Sequence, residues 1–142
     1  MERIFVDTSA WYALVDSKDP DHSSASSFLN KNKLLLVTSD YIFAETLNLV
    51  KNRLGQAVAV KLGEKIKASS ISQIMELTKE LKDEGFEIFR KYKDKGFSYT
   101  DCTSFALMQS LSIKTAFGFD EHFMQFGMGI VPNMYAQYEK RR

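Results

Sequence analysis

Two short runs of apolar β-forming residues, at positions 4–6 and 34–37, place the strongest limit on the fold of this chain. Neither run alternates with polar residues, which predicts strands covered on both faces, as in a parallel sheet. The first run stops at Asp7, before Thr8 and Ser9, and the second stops at residues 38–40, Thr-Ser-Asp. These residue types cap helix N-termini, so a helix is expected after each strand. This repeated order indicates an α/β domain.

The rest of the chain continues the alternation of strands and helices. The spacing from Ser98 to Asp101 resembles a capping box at the start of one helix. Further strands are expected at 71–77, 114–117 and 130–131, and helices at 10–15, after Pro20, from 40 to Gly55, at 57–67, after Thr78 and after Ser98, before a solvated tail at 139–142. We therefore predict one domain, residues 1–142, with a central parallel sheet of about four to five strands and helices on both faces.

Amino-acid composition indicates where the protein is found in the cell but says little about its activity. The chain of 142 residues is 44% hydrophobic and 26% charged, as in ordinary soluble domains, and its net charge of +1 predicts no overall attraction to nucleic acid. The single cysteine, Cys102, excludes an internal disulfide and fits a reducing compartment. No apolar run approaches the roughly 20 residues of a membrane span, and no signal peptide is visible. We expect a cytoplasmic protein with no membrane association.

Four carboxylates occupy equivalent places relative to the predicted strands. Asp7 ends the first strand, Asp120 follows the fourth, and Glu45 and Asp101 lie early in helices. Because the carboxyl ends of parallel strands share one edge, these four side chains are expected to meet there. Clustered carboxylates repel each other unless a cation neutralises them, and oxygen ligands suit Mg²⁺ or Mn²⁺ rather than zinc. Each aspartate taken alone also fits a helix cap, so the pattern leaves both interpretations open for these three. Glu45 is harder to explain in this way, because a cap does not need a carboxylate one turn into an apolar helix.

Four segments of the sequence resemble a known family. Residues 4–9, 39–45, 97–102 and 117–123 are similar, in order and spacing, to the conserved blocks of PIN domains, the fold of the VapC toxins. The resemblance covers the chain nearly from end to end, and the ordered set is more specific than any single block. It implies a parallel sheet with helices on both faces, a bound Mg²⁺ or Mn²⁺, and endonucleolytic cleavage of RNA. It also implies a cognate antitoxin as partner and a homodimer.

The resemblance assigns roles to individual positions. Asp7, Glu45 and Asp101 match the acids most expected to bind metal, and Asp120 matches a fourth acid with a looser role. Ser9 and Thr100 match the hydroxyls that usually accompany the first and third acids. One block departs from the family pattern, because Gly118 stands ahead of Phe119 and Asp120 where a Ser or Thr is common.

The expected mechanism is metal-assisted hydrolysis. A cation held by Asp7, Asp101 and Glu45 would activate a water, with a second ion about 4 Å away in the two-metal arrangement, and the product would carry a 5′-phosphate. Lys51 and Arg53 are the nearest candidates to bind RNA, although a solvated helix face explains them equally well.

Other residues have simpler explanations. Cys102 is expected to be a buried structural thiol. His122 is expected at a helix start on the surface, and contact with the cleft beside Asp120 is the alternative. Trp11 and Tyr12 would be able to stack on bases but are more simply explained as core residues.

Three alternatives to a nuclease fit the sequence less well. A PIN-fold protein that binds RNA or a partner without cutting would not need the complete set of acids. A phospho-acceptor signalling domain needs a late lysine at a strand end, whereas Lys114 begins a strand. A dehalogenase-type phosphatase needs a second aspartate two positions after the first, where this chain has Ser9.

Overall fold

The computed structural model describes residues 1–132, and the predicted tail at 139–142 lies outside this part. Within it, strands and helices alternate as the sequence predicts. The strands are β1 (Glu2–Val6), β2 (Leu34–Ser39), β3 (Ser72–Met75), β4 (Thr115–Phe117) and β5 (Gly129–Val131). The helices are α1 (Thr8–Val15), α2 (His22–Lys31), α3 (Asp40–Leu54), α4 (Gln56–Ala68), α5 (Lys79–Lys91), α6 (Tyr99–Ser110) and α7 (His122–Phe126).

The five strands form one sheet in the order β3-β2-β1-β4-β5, and every neighbouring pair is parallel. β1 lies in the centre, with Ile4 opposite Leu36 of β2 and Val6 opposite Phe117 of β4. Burial on both faces explains why the runs at 4–6 and 34–37 are continuously apolar. The predicted α/β class with a parallel sheet is confirmed.

The helices cover the sheet in two groups. The chain moves outward from β1 to β3 and then returns to the other side of β1 at β4, so right-handed crossovers place α1 to α4 on one face and α5 and α6 on the other. α6 is buried around its circumference: all seven residues 102–108 are buried, and the hydroxyls of Thr103 and Ser104 among them donate to the Thr100 carbonyl. Phe105 of α6 stacks on Phe126 at 4.3 Å between ring centroids and meets Phe123 edge-on.

The reversal of strand order beside β1 positions the functional site. β2 follows from β1 on one side, whereas β4 lies on the other, so the chain diverges at the carboxyl end of β1. Ligands of open α/β sheets bind in the crevice at such a switch point. Among residues 1–132, no helix combines the length and the apolar character that crossing a membrane requires.

Candidate active site

Asp7 lies at the switch point, directly after β1. Its backbone N–H donates to the carbonyl of Phe117 at 3.0 Å, which fixes it against β4, and its carboxylate caps α1. The Ser9 hydroxyl donates to Asp7 Oδ2 at 3.0 Å. Asp7 is only 5% exposed, and this burial, with added repulsion from Asp120 and Asp101, raises its pKa to about 7. The hydrogen bond from Ser9 opposes the rise. Asp7 is therefore a carboxylate whose charge the metal-free fold disfavours.

Gly118 gives the departure from the family pattern a structural explanation. The Ser9 hydroxyl also accepts the Phe119 N–H at 2.9 Å, so one side chain joins the Asp7 carboxylate to the loop after β4. A Cβ atom on Gly118 would lie 3.0 Å from Ser9 Oγ and 3.2 Å from Asp7 Cβ, closer than side chains normally approach. Ser9 and Asp7 therefore occupy the space that a side chain at position 118 would need.

Asp101 and Ser98 form the predicted capping box at the start of α6. The Ser98 N–H donates to Asp101 Oδ2 at 3.0 Å, and the Asp101 N–H donates to the Ser98 hydroxyl at 3.0 Å. Burial raises the pKa of Asp101, and the charge of Asp120 acts in the same direction, while the hydrogen bonds from Ser98 and the nearby His122 oppose it. Asp101 therefore caps a helix and faces the cleft at once, so the two interpretations of this acid are compatible.

His122 begins α7, and its side chain reaches the cleft. Its Nδ1 atom lies 2.9 Å from Asp101 Oδ2 and 3.1 Å from Asp120 Oδ1, and its ring meets Phe97 edge-on at 5.6 Å. The side chain is 28% exposed. The residue therefore lies at a helix start, as expected, and of the two positions that the sequence leaves open it takes the one beside Asp120. The local signal is its spacing of two residues from Asp120, since the His122 N–H donates to Asp120 Oδ1 at 2.9 Å.

One cleft of about 270 Å³ collects the predicted acids. Glu45 contributes from α3, where Thr46, and not Glu45, takes the buried position beside Ile42. Glu45 is exposed on the rim. Sequence patterns did not indicate two further acids on the wall, Asp19 and Asp21, which the turn before α2 brings in. The lining residues include Asp7, Ser9, Glu45, Asp101, Asp120, Asp19, Asp21 and Arg53.

The predicted basic and hydroxyl residues separate into two groups. Arg53 lines the cleft, and its guanidinium lies 5.0 Å from the centre of the Tyr12 ring. Lys51 is exposed on α3 outside the residues that line the cleft. Thr100 precedes Asp101, but it acts through its carbonyl, which accepts the hydroxyls of Thr103 and Ser104. Ser9 and Arg53 are therefore part of the cleft, and Lys51 and Thr100 are peripheral.

Three other side chains follow the simpler interpretation. Trp11 and Tyr12 are buried at 5% and 7% exposure, as core residues are. Cys102 is fully buried, and burial raises the pKa of its thiol to about 11, so it is an inert structural thiol.

The cleft has the donor chemistry of a divalent-metal site. Carboxylate oxygens predominate, which suits hard cations, and ligand atoms of Asp101, Asp120 and His122 lie within 4.8 Å of one another. Burial first, and then the neighbouring carboxylates, raise the pKa values of Asp7 and Asp101. A bound cation would stabilise the charged form of both carboxylates, so these residues fit a divalent metal ion.

A parallel sheet whose switch point carries four carboxylates around one cleft has the architecture of a metal-dependent nuclease. The chain belongs to the PIN domain family, whose model matches residues 4–127. It is 32% identical over 124 residues to the 23S rRNA-specific endonuclease VapC20 of Mycobacterium tuberculosis, covering 87% of this chain and 94% of that protein. It is also 26% identical over 121 residues to Ribonuclease VapC26 of the same species, covering 84% of this chain and 89% of the relative.

Two solved structures have the same fold as this chain. The crystal structure of VapC20 from Mycobacterium tuberculosis, described as a Sarcin-Ricin loop cleaving toxin, matches with a TM-score of 0.83 and 30% identity over 88% of this chain and 95% of that one. FitAcB from Neisseria gonorrhoeae matches with a TM-score of 0.69 over 89% of this chain and 95% of that one, and at 17% identity it shows the fold alone. The predicted enzyme class, a metal-dependent PIN-domain ribonuclease of the VapC type, is confirmed. This membership excludes the phospho-acceptor and phosphatase alternatives.

Proposed function

We propose that this chain is the toxin of a toxin–antitoxin pair and that it hydrolyses ribosomal RNA in the cytoplasm, with Mg²⁺ as cofactor and Mn²⁺ as a functional substitute. The observation that carries the proposal is the convergence of Asp7, Glu45, Asp101 and Asp120 on one cleft at the switch point of the sheet. Identity of 32% to a 23S rRNA-specific endonuclease supports ribosomal RNA as the substrate class.

The side chains of the cleft have separate roles in the proposed mechanism. A bound divalent cation would lower the pKa of a water molecule and polarise a phosphate oxygen. Asp7 and Asp101 would hold the cation, and Ser9 fixes the orientation of the Asp7 carboxylate through its hydroxyl. Glu45, exposed on the rim, is placed to contact the cation or its water. Asp120 would act as the fourth acid. Water, and not the ribose hydroxyl, would attack phosphorus and displace the 3′-oxygen, so the product would carry a 5′-phosphate and leave a 3′-hydroxyl.

Arg53 is the proposed contact for the RNA backbone. Its guanidinium lies at the acidic cleft, where a phosphate must approach against the charge of the carboxylates. Arginine binds phosphate in a bidentate manner, and stacking on Tyr12 limits its freedom before RNA arrives. Lys51, two residues earlier on α3, would add longer-range attraction. Thr100 would act only by holding the first turn of α6 through its carbonyl.

The antitoxin proposal has a candidate surface away from the cleft. An apolar groove of about 490 Å³ lies between α1, α2, α4 and the strands β2 and β3, and Lys61 and Lys65 border it. The apolar lining and the two lysines fit a partner segment that combines apolar with acidic side chains.

One pair of variants tests this surface. Val58→Glu would place a charge in the groove, whereas Val60, 48% exposed on the same helix, lies outside the lining residues. We expect Val58→Glu to cleave RNA normally but to escape neutralisation by the co-expressed protein encoded beside it, while Val60→Glu stays neutralised. Neutralisation of both variants would contradict this surface.

The homodimer proposal rests on an exposed aromatic pair. Phe86 and Phe89 of α5 are 54% and 42% exposed, and their rings contact each other at 6.4 Å. Exposed aromatic residues of this size are typical of interfaces. Sedimentation of the purified chain should give a dimer that Phe86→Lys with Phe89→Lys converts to a monomer; an unchanged dimer would place the interface elsewhere.

A cleavage assay tests the enzymatic proposal. Purified wild type with Mg²⁺ should cut ribosomal RNA, and Asp7→Asn should reduce the rate by about 100-fold or more, since it removes a metal ligand. Asp83→Asn is the matched control, because that carboxylate is 67% exposed and pairs only with Lys79 at 3.0 Å among the described contacts. RNA binding without cleavage would favour the non-catalytic PIN-fold alternative. Normal growth on expression without a partner would favour a housekeeping nuclease.

A further inference from the structure

We propose that His122 is a nitrogen ligand of the divalent cation, shared with Asp101 and Asp120, and that it shifts the preference of the site from Mg²⁺ toward Mn²⁺. This inference rests on the proposed metal-dependent cleavage at the same cleft. It adds a neutral nitrogen donor to a site otherwise described by its carboxylates alone.

The distances around the imidazole match those of ligands on one ion. Nδ1 lies 2.9 Å from Asp101 Oδ2 and 3.1 Å from Asp120 Oδ1. In octahedral coordination with bonds of about 2.1 Å, neighbouring ligand atoms lie about 3.0 Å apart. The three ligand atoms all fall within 4.8 Å of one another, a span that one coordination sphere accommodates. The metal-free cluster therefore already has the spacing of three ligands around a common point.

Hydrogen bonding does not account for this arrangement. The Nδ1 atom is buried and makes no hydrogen bond to residues 1–132, although both carboxylates lie within ion-pair distance of it. Asp120 Oδ1 already accepts the His122 backbone N–H at 2.9 Å, and Asp101 Oδ2 already accepts the Ser98 N–H at 3.0 Å. Phe97 packs against the ring edge-on and limits its rotation. A cation between Nδ1 and the two carboxylates would satisfy all three atoms together.

A nitrogen ligand changes which metal the site prefers. Mg²⁺ is bound through oxygen in nearly all protein sites, whereas imidazole is a good ligand for transition metals. We expect His122→Gln to weaken Mn²⁺ binding on the order of tenfold and Mg²⁺ binding much less, because the lost donor matters more to the softer ion. Calorimetric titration of each ion into wild type and variant measures this difference.

Pulsed EPR of the Mn²⁺-loaded, tag-free protein gives the direct test. Coordinated imidazole produces a ¹⁴N modulation of the Mn²⁺ signal, and the chain contains only two histidines, so His22→Gln is a matched control. The Nδ1 atom of His22 contacts the carbonyl of Ala13 at 2.7 Å and not the acids. The modulation should be present in wild type and His22→Gln and absent in His122→Gln.

The outcomes separate this inference from the proposed function. Bound Mn²⁺ without imidazole modulation in the wild type would overturn the His122 assignment and leave metal-dependent cleavage intact. Persistence of the modulation in His122→Gln, or tighter Mn²⁺ binding by that variant, would also overturn it, since His122 would then be absent from the coordination sphere or compete with the ion. Failure of the wild type to bind Mn²⁺ at all would overturn both proposals.

Discussion

Replacing Asp7 by asparagine should stabilise the metal-free protein at alkaline pH. The Asp7 carboxylate is 5% exposed, and its pKa is raised to about 7 from an ordinary value of 3.8, first by burial and then by Asp120 and Asp101. Folding therefore favours the protonated form, and the folded state binds more protons than the unfolded state between these values. Since stability falls with rising pH wherever the folded state holds the extra proton, ionisation of Asp7 destabilises the fold as pH rises.

The magnitude follows from the size of the pKa change. A pKa difference of about 3 corresponds to roughly 4 kcal/mol, because each pKa step of 1 is worth about 1.4 kcal/mol. The cost begins near pH 4 and is complete just above pH 7, so about 2–3 kcal/mol of it falls between pH 5 and pH 8. The asparagine of the Asp7→Asn variant keeps a side-chain oxygen that can accept the Ser9 hydroxyl but carries no charge to lose.

Urea denaturation in EDTA measures this effect. Between pH 5 and pH 8, wild type should lose about 2–3 kcal/mol more of its free energy of unfolding than Asp7→Asn does. Saturating Mn²⁺ at pH 8 should stabilise wild type, by about 2.7 kcal/mol at 100 times the dissociation constant, and have little effect on the variant. Parallel pH dependence of the two proteins would refute the idea that the fold holds Asp7 in a site that disfavours its charge.

Two further changes probe the walls of the cleft. Gly118→Ala should slow RNA cleavage at least tenfold and lower the melting temperature, because its Cβ would press on Ser9. Gly63→Ala is the control and should keep the wild-type rate and melting temperature, because its Cβ would meet only side-chain atoms at 3.4–3.5 Å. Equal behaviour of the two alanine variants would refute the steric argument. Arg53→Ala should raise KM for RNA about tenfold at unchanged kcat. Lys51→Ala should raise KM less than threefold, and the reverse order would move the RNA path to the outer face of α3.

Local sequence signals were sufficient for the strands and for two of the acids. Residues 4–6 are apolar because β1 is central in the sheet, and Asp7 follows because the chain must turn into α1 at once. The capping box that contains Asp101 lies within four consecutive residues, so the position of Asp101 at the start of α6 can be predicted from the sequence. Features set by near neighbours in the chain can therefore be predicted from the order of residues alone.

Contacts between distant segments were not predictable in the same way. Gly118 is explained by Ser9, 109 positions earlier in the sequence, and only the pairing of β1 with β4 brings them together. His122 meets Asp101 because α6 and α7 pack on the same side of the sheet, which periodicity alone does not specify. On α3 the sequence pattern fits either Glu45 or Thr46 on the buried face, and Thr46 takes that place, since a one-residue step rotates a helix position by about 100°.

The chemical form of the RNA ends is the most direct test of the central claim, that the acidic cleft activates water through a divalent cation. Ribosomal RNA cut by the wild type in Mg²⁺ should carry 5′-phosphate and 3′-hydroxyl ends by mass spectrometry and ligation, with no cutting in EDTA or by Asp7→Asn. Fragments with 2′,3′-cyclic phosphate and 5′-hydroxyl ends would show that the ribose hydroxyl attacks. That result would contradict the mechanism drawn from Asp7, Glu45, Asp101 and Asp120.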